Sequence, residues 1–162
     1  GMSSVPDKAR YSDDGRYRYL LTREFGGSST CVFVMLNPST ADADHDDPTI
    51  KRCIGFAKRE GFGRLEIVNL FGFMATEPAL LFASADPVGD DNDAEVGLAL
   101  SRAKTVIIAW GNHGAADSER SAVVLDLVAG SGKPVKCFGL TAAGHPKHPL
   151  YLPADVELVP FT

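Results

Sequence analysis

Asn37 stands where an apolar run, 31–36, stops and a polar loop, Pro38-Ser39-Thr40-Ala41-Asp42, begins. Proline lacks a backbone N–H and fixes φ, so a strand cannot continue through Pro38. Three further apolar runs end in polar residues: 65–68 at Asn69, 105–110 at Gly111-Asn112-His113, and 134–138 shortly before His145 and His148. In a parallel α/β sheet, ligands bind in the loops beyond the carboxyl ends of the strands. All four histidines (His45, His113, His145 and His148) fall in such loops. The pattern predicts one cleft lined by Asn37, Asn69, Asn112 or His113, and His145. Asn37 is either a ligand contact or an Asx-turn residue bonding nearby backbone. Asn69, directly after an apolar strand, must find partners or be costly to bury, which favours a ligand contact. Trp110 reads as core or as a pocket wall.

The acidic run Asp42, Asp44, His45, Asp46 and Asp47 offers hard oxygen ligands, and His45 would bias such a site towards a transition metal. The spacing matches no calcium loop, and Asp47 before Pro48 reads better as a helix cap. The expectation is that no metal is held there. Ser39 lies in Asn-Pro-Ser-Thr rather than in a Gly-x-Ser-x-Gly elbow, and 111–114 lacks the lysine and spacing of a P-loop.

The elements that must position these residues follow from periodicity. Residues 15–22 alternate partly, and Gly26-Gly27-Ser28-Ser29 turns towards the strand 31–36, predicting an antiparallel hairpin. Ile50, Cys53, Ile54 and Ala57 recur at helical spacing until Gly61. The loop 70–91 holds a short helix near 77–83. Asn92 with Glu95 resembles a capping box ahead of a helix with Val96, Ala99, Leu100 and Ala103 on its apolar stripe. A third helix carries Ser121, Val124, Leu125 and Val128, and a tail strand is expected over 156–159. Strands alternating with helices imply right-handed βαβ crossovers. The expectation is one three-layer α/β domain over 1–162 (core about 16–160), with a mainly parallel four-stranded sheet and an N-terminal antiparallel edge strand.

A chain of 162 residues, 44% hydrophobic and 23% charged, suits a single soluble domain. Gly1 ahead of Met2 reads as an expression remnant. No apolar run approaches the roughly 20 residues that span a bilayer, so a cytoplasmic protein with no membrane partner is expected. Three cysteines without close spacing argue against disulfides and against a cysteine-based metal centre. The net charge of -5 disfavours simple phosphate-backbone binding. Arg10, Arg16, Arg18 and Arg23 form either a basic strip or solvated strand faces.

The segments 36–42 (Leu-Asn-Pro-Ser-Thr-Ala-Asp), 47–49, 68–71, 87–89 with 92–94, 110–114 and 145–151 resemble the bacterial and phage family known as domain of unknown function 1643. The motif order is also similar, more distantly, to the uracil-DNA glycosylase superfamily. That resemblance implies a four-stranded parallel sheet, with Asn37-Pro38 positioning a hydrolytic water, Asn69 reading an extruded base and His145 stabilising the departing base. Ser39, Phe71, Trp110, Asn112, His113 and His148 would complete the substrate site. Lys147 stands where that superfamily has serine, Ser39 replaces its glycine-type residue, and the iron–sulfur cysteines of some branches are absent. Asparagine cannot take a proton at neutral pH, so catalysis would rest on positioning and on stabilising the leaving base. The expected function is hydrolysis of an N-glycosidic bond in a nucleobase-containing substrate. The expected partner is a nucleobase, nucleotide or nucleic acid, no cofactor is implied, and no oligomeric state follows from the sequence. Two rivals stand beside it: a metal-assisted hydrolase using the 42–47 loop with His45 and His113, and a non-catalytic base-binding module.

Overall fold

The strand Thr30–Met35 (β3) is buried at all six positions, which requires partners on both edges and apolar cover on both faces. In the computed structural model, which describes residues 8–161, those edges are taken by Arg64–Asn69 (β4) and Thr105–Ile108 (β5), both parallel to it. Val135–Cys137 (β6) continues the parallel set beside β5. Three antiparallel strands complete a seven-stranded mixed sheet: Ala9–Tyr11 (β1), Arg18–Glu24 (β2) and Val159–Pro160 (β7), in the order β1-β2-β4-β3-β5-β6-β7.

The expected hairpin between the first strand and 31–36 does not form. β2 pairs with β4 instead, Leu21 opposite Ile67, because β3 already has a parallel partner on each edge and β4 has an outer edge free. The link 25–29 passes beside the start of β4, where a Cβ on Gly63 would lie 2.4 Å from the Gly27 backbone. Only glycine permits that approach. β1, not β2, is the edge strand, and the far edge is formed at Val159–Pro160 rather than across 156–159.

Helices cover both faces. Pro48–Arg59 (α1) packs Ile50, Cys53, Phe56 and Ala57 against Cys31, Phe33, Leu65, Ile67 and Ile107. Asp47 caps it by accepting from the Ile50 N–H at 2.8 Å, as the sequence predicts. On the opposite face lie Pro78–Ala83 (α2), Asn92–Arg102 (α3) and Ser118–Gly130 (α4), burying Leu81, Val96, Leu100 and Val124 on Val32, Val34, Val106 and Ile108. Fully burying one such side chain is worth about 1.5–3 kcal/mol, so the two clusters hold the parallel strands and their carboxyl ends in a fixed frame. Among the described residues, no helix is long and apolar enough to cross a membrane.

Asn92 does not cap α3. Asp91 occupies the cap position without a side-chain bond, and Asn92 is fully buried, its amide donating to the carbonyls of Asn69 (2.9 Å) and Leu70 (3.2 Å). Two strand-end carbonyls beneath it outcompete the helix terminus for its donors.

Candidate functional site

A cavity of about 700 Å³ opens on the α1 face of the sheet, at the carboxyl ends of β3, β4 and β5 and under the loop after β6. Asn37, Ser39, Asn69, Trp110, Asn112, His113 and His148 all line it. His145 and Phe71 do not. Phe71 is fully buried in the opposite core, edge-on to Phe82 with ring centroids 5.4 Å apart, so it is packing rather than a stacking surface. His145 is half-buried, and its backbone pairs with Thr141 in the turn after β6.

Asn69 is the last residue of β4, on the same face as Leu65 and Ile67 by strand alternation. It is 1% exposed, and neither its Nδ2 nor its Oδ1 has a hydrogen-bond partner. A buried unpaired carboxamide costs free energy, so the position is held by other means. Its backbone carbonyl accepts from Asn92, and the next carbonyl, Leu70, also takes the Arg120 Nε at 2.6 Å. Arg120 is anchored in turn by Asp93 at 2.6 Å. The strand end is thus clamped from the α3–α4 side while the side chain faces the cavity. Trp110 is similar: 2% exposed, lining the cavity, its Nε1 unpartnered.

Asn37 behaves differently. Its Nδ2 donates to the carbonyls of Pro38 and Ala75, both at 2.9 Å, and more weakly to Phe73 at 3.4 Å. These bonds fix which end of the amide is nitrogen and leave Oδ1 without a donor among the described residues. Asn37 is therefore a loop clamp on nearby backbone, with an oxygen that takes no donor among the described residues.

The loop after β6 and the 3₁₀ helix Asn112–Asp117 after β5 form the opposite wall. They are joined by the Thr141 hydroxyl, donating to Asn112 Oδ1 at 2.6 Å, and by the Gly111 N–H, donating to the Pro146 carbonyl at 2.8 Å. Gly111 has φ 74°, and a Cβ there would sit 3.2 Å from the Cβ of His148. Glycine therefore lets the histidine pack against the turn. His148 Nδ1 accepts from the Leu150 N–H at 3.2 Å, so the neutral ring carries its proton on Nε2. Burial, and then the neighbouring His113, hold its pKa below the ordinary histidine value.

The acidic run is a structured turn. Asp42 Oδ1 accepts from the N–H groups of Asp44 (2.9 Å) and His45 (2.8 Å) and meets His45 Nδ1 at 2.9 Å, and these bonds lower its pKa. Asp46 bonds Arg23 Nε at 2.8 Å. Of this run only Asp47 lines the cavity, and among the described residues no group of three or more His, Cys, Asp or Glu is arranged to hold a metal ion.

The arginines of the first strands do not make a strip. Arg10 pairs with Glu95, Arg23 with Asp46, and Arg16 is exposed beside Asp14. Arg18 is no solvated residue either: it is 2% exposed and lines the cavity. Sequence reasoning missed it, together with Thr141, Asn92 and Arg120. No local signal marked Arg18: its place follows from the pairing of β2 with β4, which sets the start of β2 beside the end of β4. All three cysteines are buried and unpaired.

The family model for a protein of unknown function, DUF1643, matches residues 18–150. The chain belongs to that family. The match runs from the start of β2 to the loop that carries His148, and so takes in nearly every residue lining the cavity. No curated protein and no solved structure matches the chain.

Proposed function

We propose that this member of the DUF1643 family binds a nucleobase in the cavity and hydrolyses the bond joining the base to its sugar. One observation carries the reading: the Asn69 carboxamide is buried in the cavity wall with both its donor and its acceptor unpaired. An unpaired donor and acceptor side by side are the complement of an N–H next to a C=O, the edge that uracil, hypoxanthine and guanine present. A site built to hydrogen-bond such an edge leaves its own polar groups unpaired when empty, which is also how it rejects ligands lacking that edge.

The other groups fit a hydrolytic step. Asn37 Oδ1 accepts a proton of a bound water without removing it, so its contribution is placement. The water oxygen bonds to the sugar carbon as the carbon–nitrogen bond breaks, and the bond's electron pair leaves with the base. The negative charge then spreads onto the base oxygen, where the neutral His148 Nε2–H donates to it, and the proton released by the water passes to the departing base. Here His148, which lines the cavity, takes the part that the sequence resemblance gave to His145. Trp110 supplies an apolar wall.

The test is base release from uracil- and hypoxanthine-containing nucleosides, nucleotides and DNA, alongside calorimetric binding of the free bases. Asn37→Ala is expected to lower turnover with affinity retained. Asn69→Asp replaces the amide donor with an acceptor and is expected to change which base is accepted. A wild-type protein that neither binds nor releases any base refutes the proposal; binding without release leaves a base-binding module.

A further inference from the structure

Arg18 opens β2 at the edge of the cavity, and the strand has to bend to place it there. Arg10 is paired with Leu20 and Tyr11 with Arg18, so Tyr19 is an extra residue on β2, a bulge. Strict alternation would set Arg18 and Leu21 on opposite faces, and a bulge re-aims the side chain. Arg18 thereby reaches the α1 face, where its Nη1 donates to the Ala41 carbonyl at 2.7 Å. Its Nε has no partner, and among the described residues no carboxylate lies within ion-pair distance, Asp47 and Asp42 attracting it only from farther away. By contrast, Arg102 is matched by Glu66 and Arg120 by Asp93. A buried charge without a close counter-ion is unfavourable. Burial lowers the Arg18 pKa to about 10, so it remains cationic at neutral pH. Lys147 is a second cation lining the cavity, and Asp47 is the lone carboxylate among the described lining residues. This occurs in a chain of net charge -5.

We propose that the cavity's ligand carries a phosphate that docks on Arg18, so that the substrate is a free mononucleotide rather than a neutral base, a nucleoside or a nucleic-acid strand. The inference rests on the base-binding reading of Asn69 and adds the ligand's charge and size to it. A guanidinium with open N–H donors matches phosphate oxygens in geometry and charge. A volume of about 700 Å³ exceeds what a base alone fills and accommodates sugar and phosphate as well.

Calorimetry on the full chain tests this with uridine, uridine 5′-monophosphate, ribose 5-phosphate, inorganic phosphate and a uracil-containing oligonucleotide, and with the inosine pair in parallel. The expected result is that the monophosphate binds at least tenfold tighter than its nucleoside and that inorganic phosphate competes with it. Arg18→Gln should remove the advantage while nucleoside binding persists, and Arg18→Lys should restore part of it. Equal binding of nucleoside and monophosphate overturns the phosphate site and leaves the base reading intact. Equal binding of ribose 5-phosphate and the nucleotide overturns the base reading and leaves the anion site. Tighter binding of the oligonucleotide overturns the free-nucleotide assignment, and no binding of any probe overturns both. The wild-type comparisons decide the matter even if Arg18→Gln fails to fold.

Discussion

Replacing Asn69 with leucine should stabilise the protein while abolishing base binding. Both carboxamide atoms of Asn69 are buried and unpaired in a residue 1% exposed, and its neighbours on the cavity floor include Met35 and Ile67. An unsatisfied buried amide costs about 1–3 kcal/mol on the scale of protein mutations. Leucine has a similar shape and no polar atom, so Asn69→Leu removes that penalty and adds apolar contact. The expected gain is about 1–2 kcal/mol, and for a chain of this size each kcal/mol raises Tm by about 2–4 °C. The contrast is Asn92, an asparagine equally buried whose amide nitrogen donates to two carbonyls, its Oδ1 being unpaired. Asn92→Leu deletes donors to two carbonyls and leaves buried acceptors short, at about 0.5–1.5 kcal/mol per bond plus desolvation. Its expected cost is about 2–4 kcal/mol. Urea unfolding of both variants, with binding of free bases measured in parallel, reads the difference in sign. An Asn69→Leu protein less stable than wild type, or one that still binds the base, would refute the reasoning that this carboxamide is reserved for a ligand.

The pH dependence of stability should contain a step from His148. Its folded pKa lies below the ordinary 6.5, so the unfolded chain binds more protons between the two values. The stability this group contributes is therefore present above about pH 6.5 and lost as pH falls through its folded pKa, and His148→Gln should flatten the step in a series of thermal melts. Asp47→Ala removes the bond to the Ile50 N–H and should cost about 0.5–2 kcal/mol by denaturant titration, like other lost N-caps. Burial pushes the Cys31 and Cys53 thiols well above their ordinary values, so a disulfide reagent at neutral pH should label them only at the rate of unfolding. Rapid labelling of the native protein would show that the α1 face opens.

The four core strands and the cavity at their carboxyl ends were legible because each signal was local: an apolar run, then a polar stop. β3 and β4 end at Met35 and Asn69 and β5 shortly before Asn112, and α1 starts at its aspartate cap. What the sequence hid was long-range. The destination of β2 depends on which sheet edge is vacant after two crossovers have formed, and a Gly-Gly-Ser-Ser link is equally good for a hairpin or for a path past the neighbouring strand. Asn92 carries a cap's residue type in a cap's place, yet its donors go to carbonyls 22 and 23 residues earlier. His145 and His148 both stand in the loop after β6, and the fold places His148, packed against Gly111, at the cavity and His145 in the turn with Thr141.

The same distinction bears on function. Several buried polar side chains have firm structural partners: the Asn92 amide nitrogen on two carbonyls, Arg120 on Leu70 and Asp93, Glu66 on Arg102 through bonds of 2.7–3.0 Å. Unpaired buried atoms also occur elsewhere, on Arg52, Arg64, Asn92 and Glu95, but the residues lining the cavity bring several together: the Asn69 carboxamide, the Trp110 indole N–H and the Arg18 Nε. A wall that leaves a carboxamide, an indole and a guanidinium open together has donors and acceptors held in readiness. The clamp formed by Asn92 and Arg120 beneath β4 fixes the backbone under the first of these and contributes the stability that the open groups subtract. Stability and ligand affinity should therefore respond in opposite directions to apolar substitution along this wall, and in the same direction to substitution of the clamp.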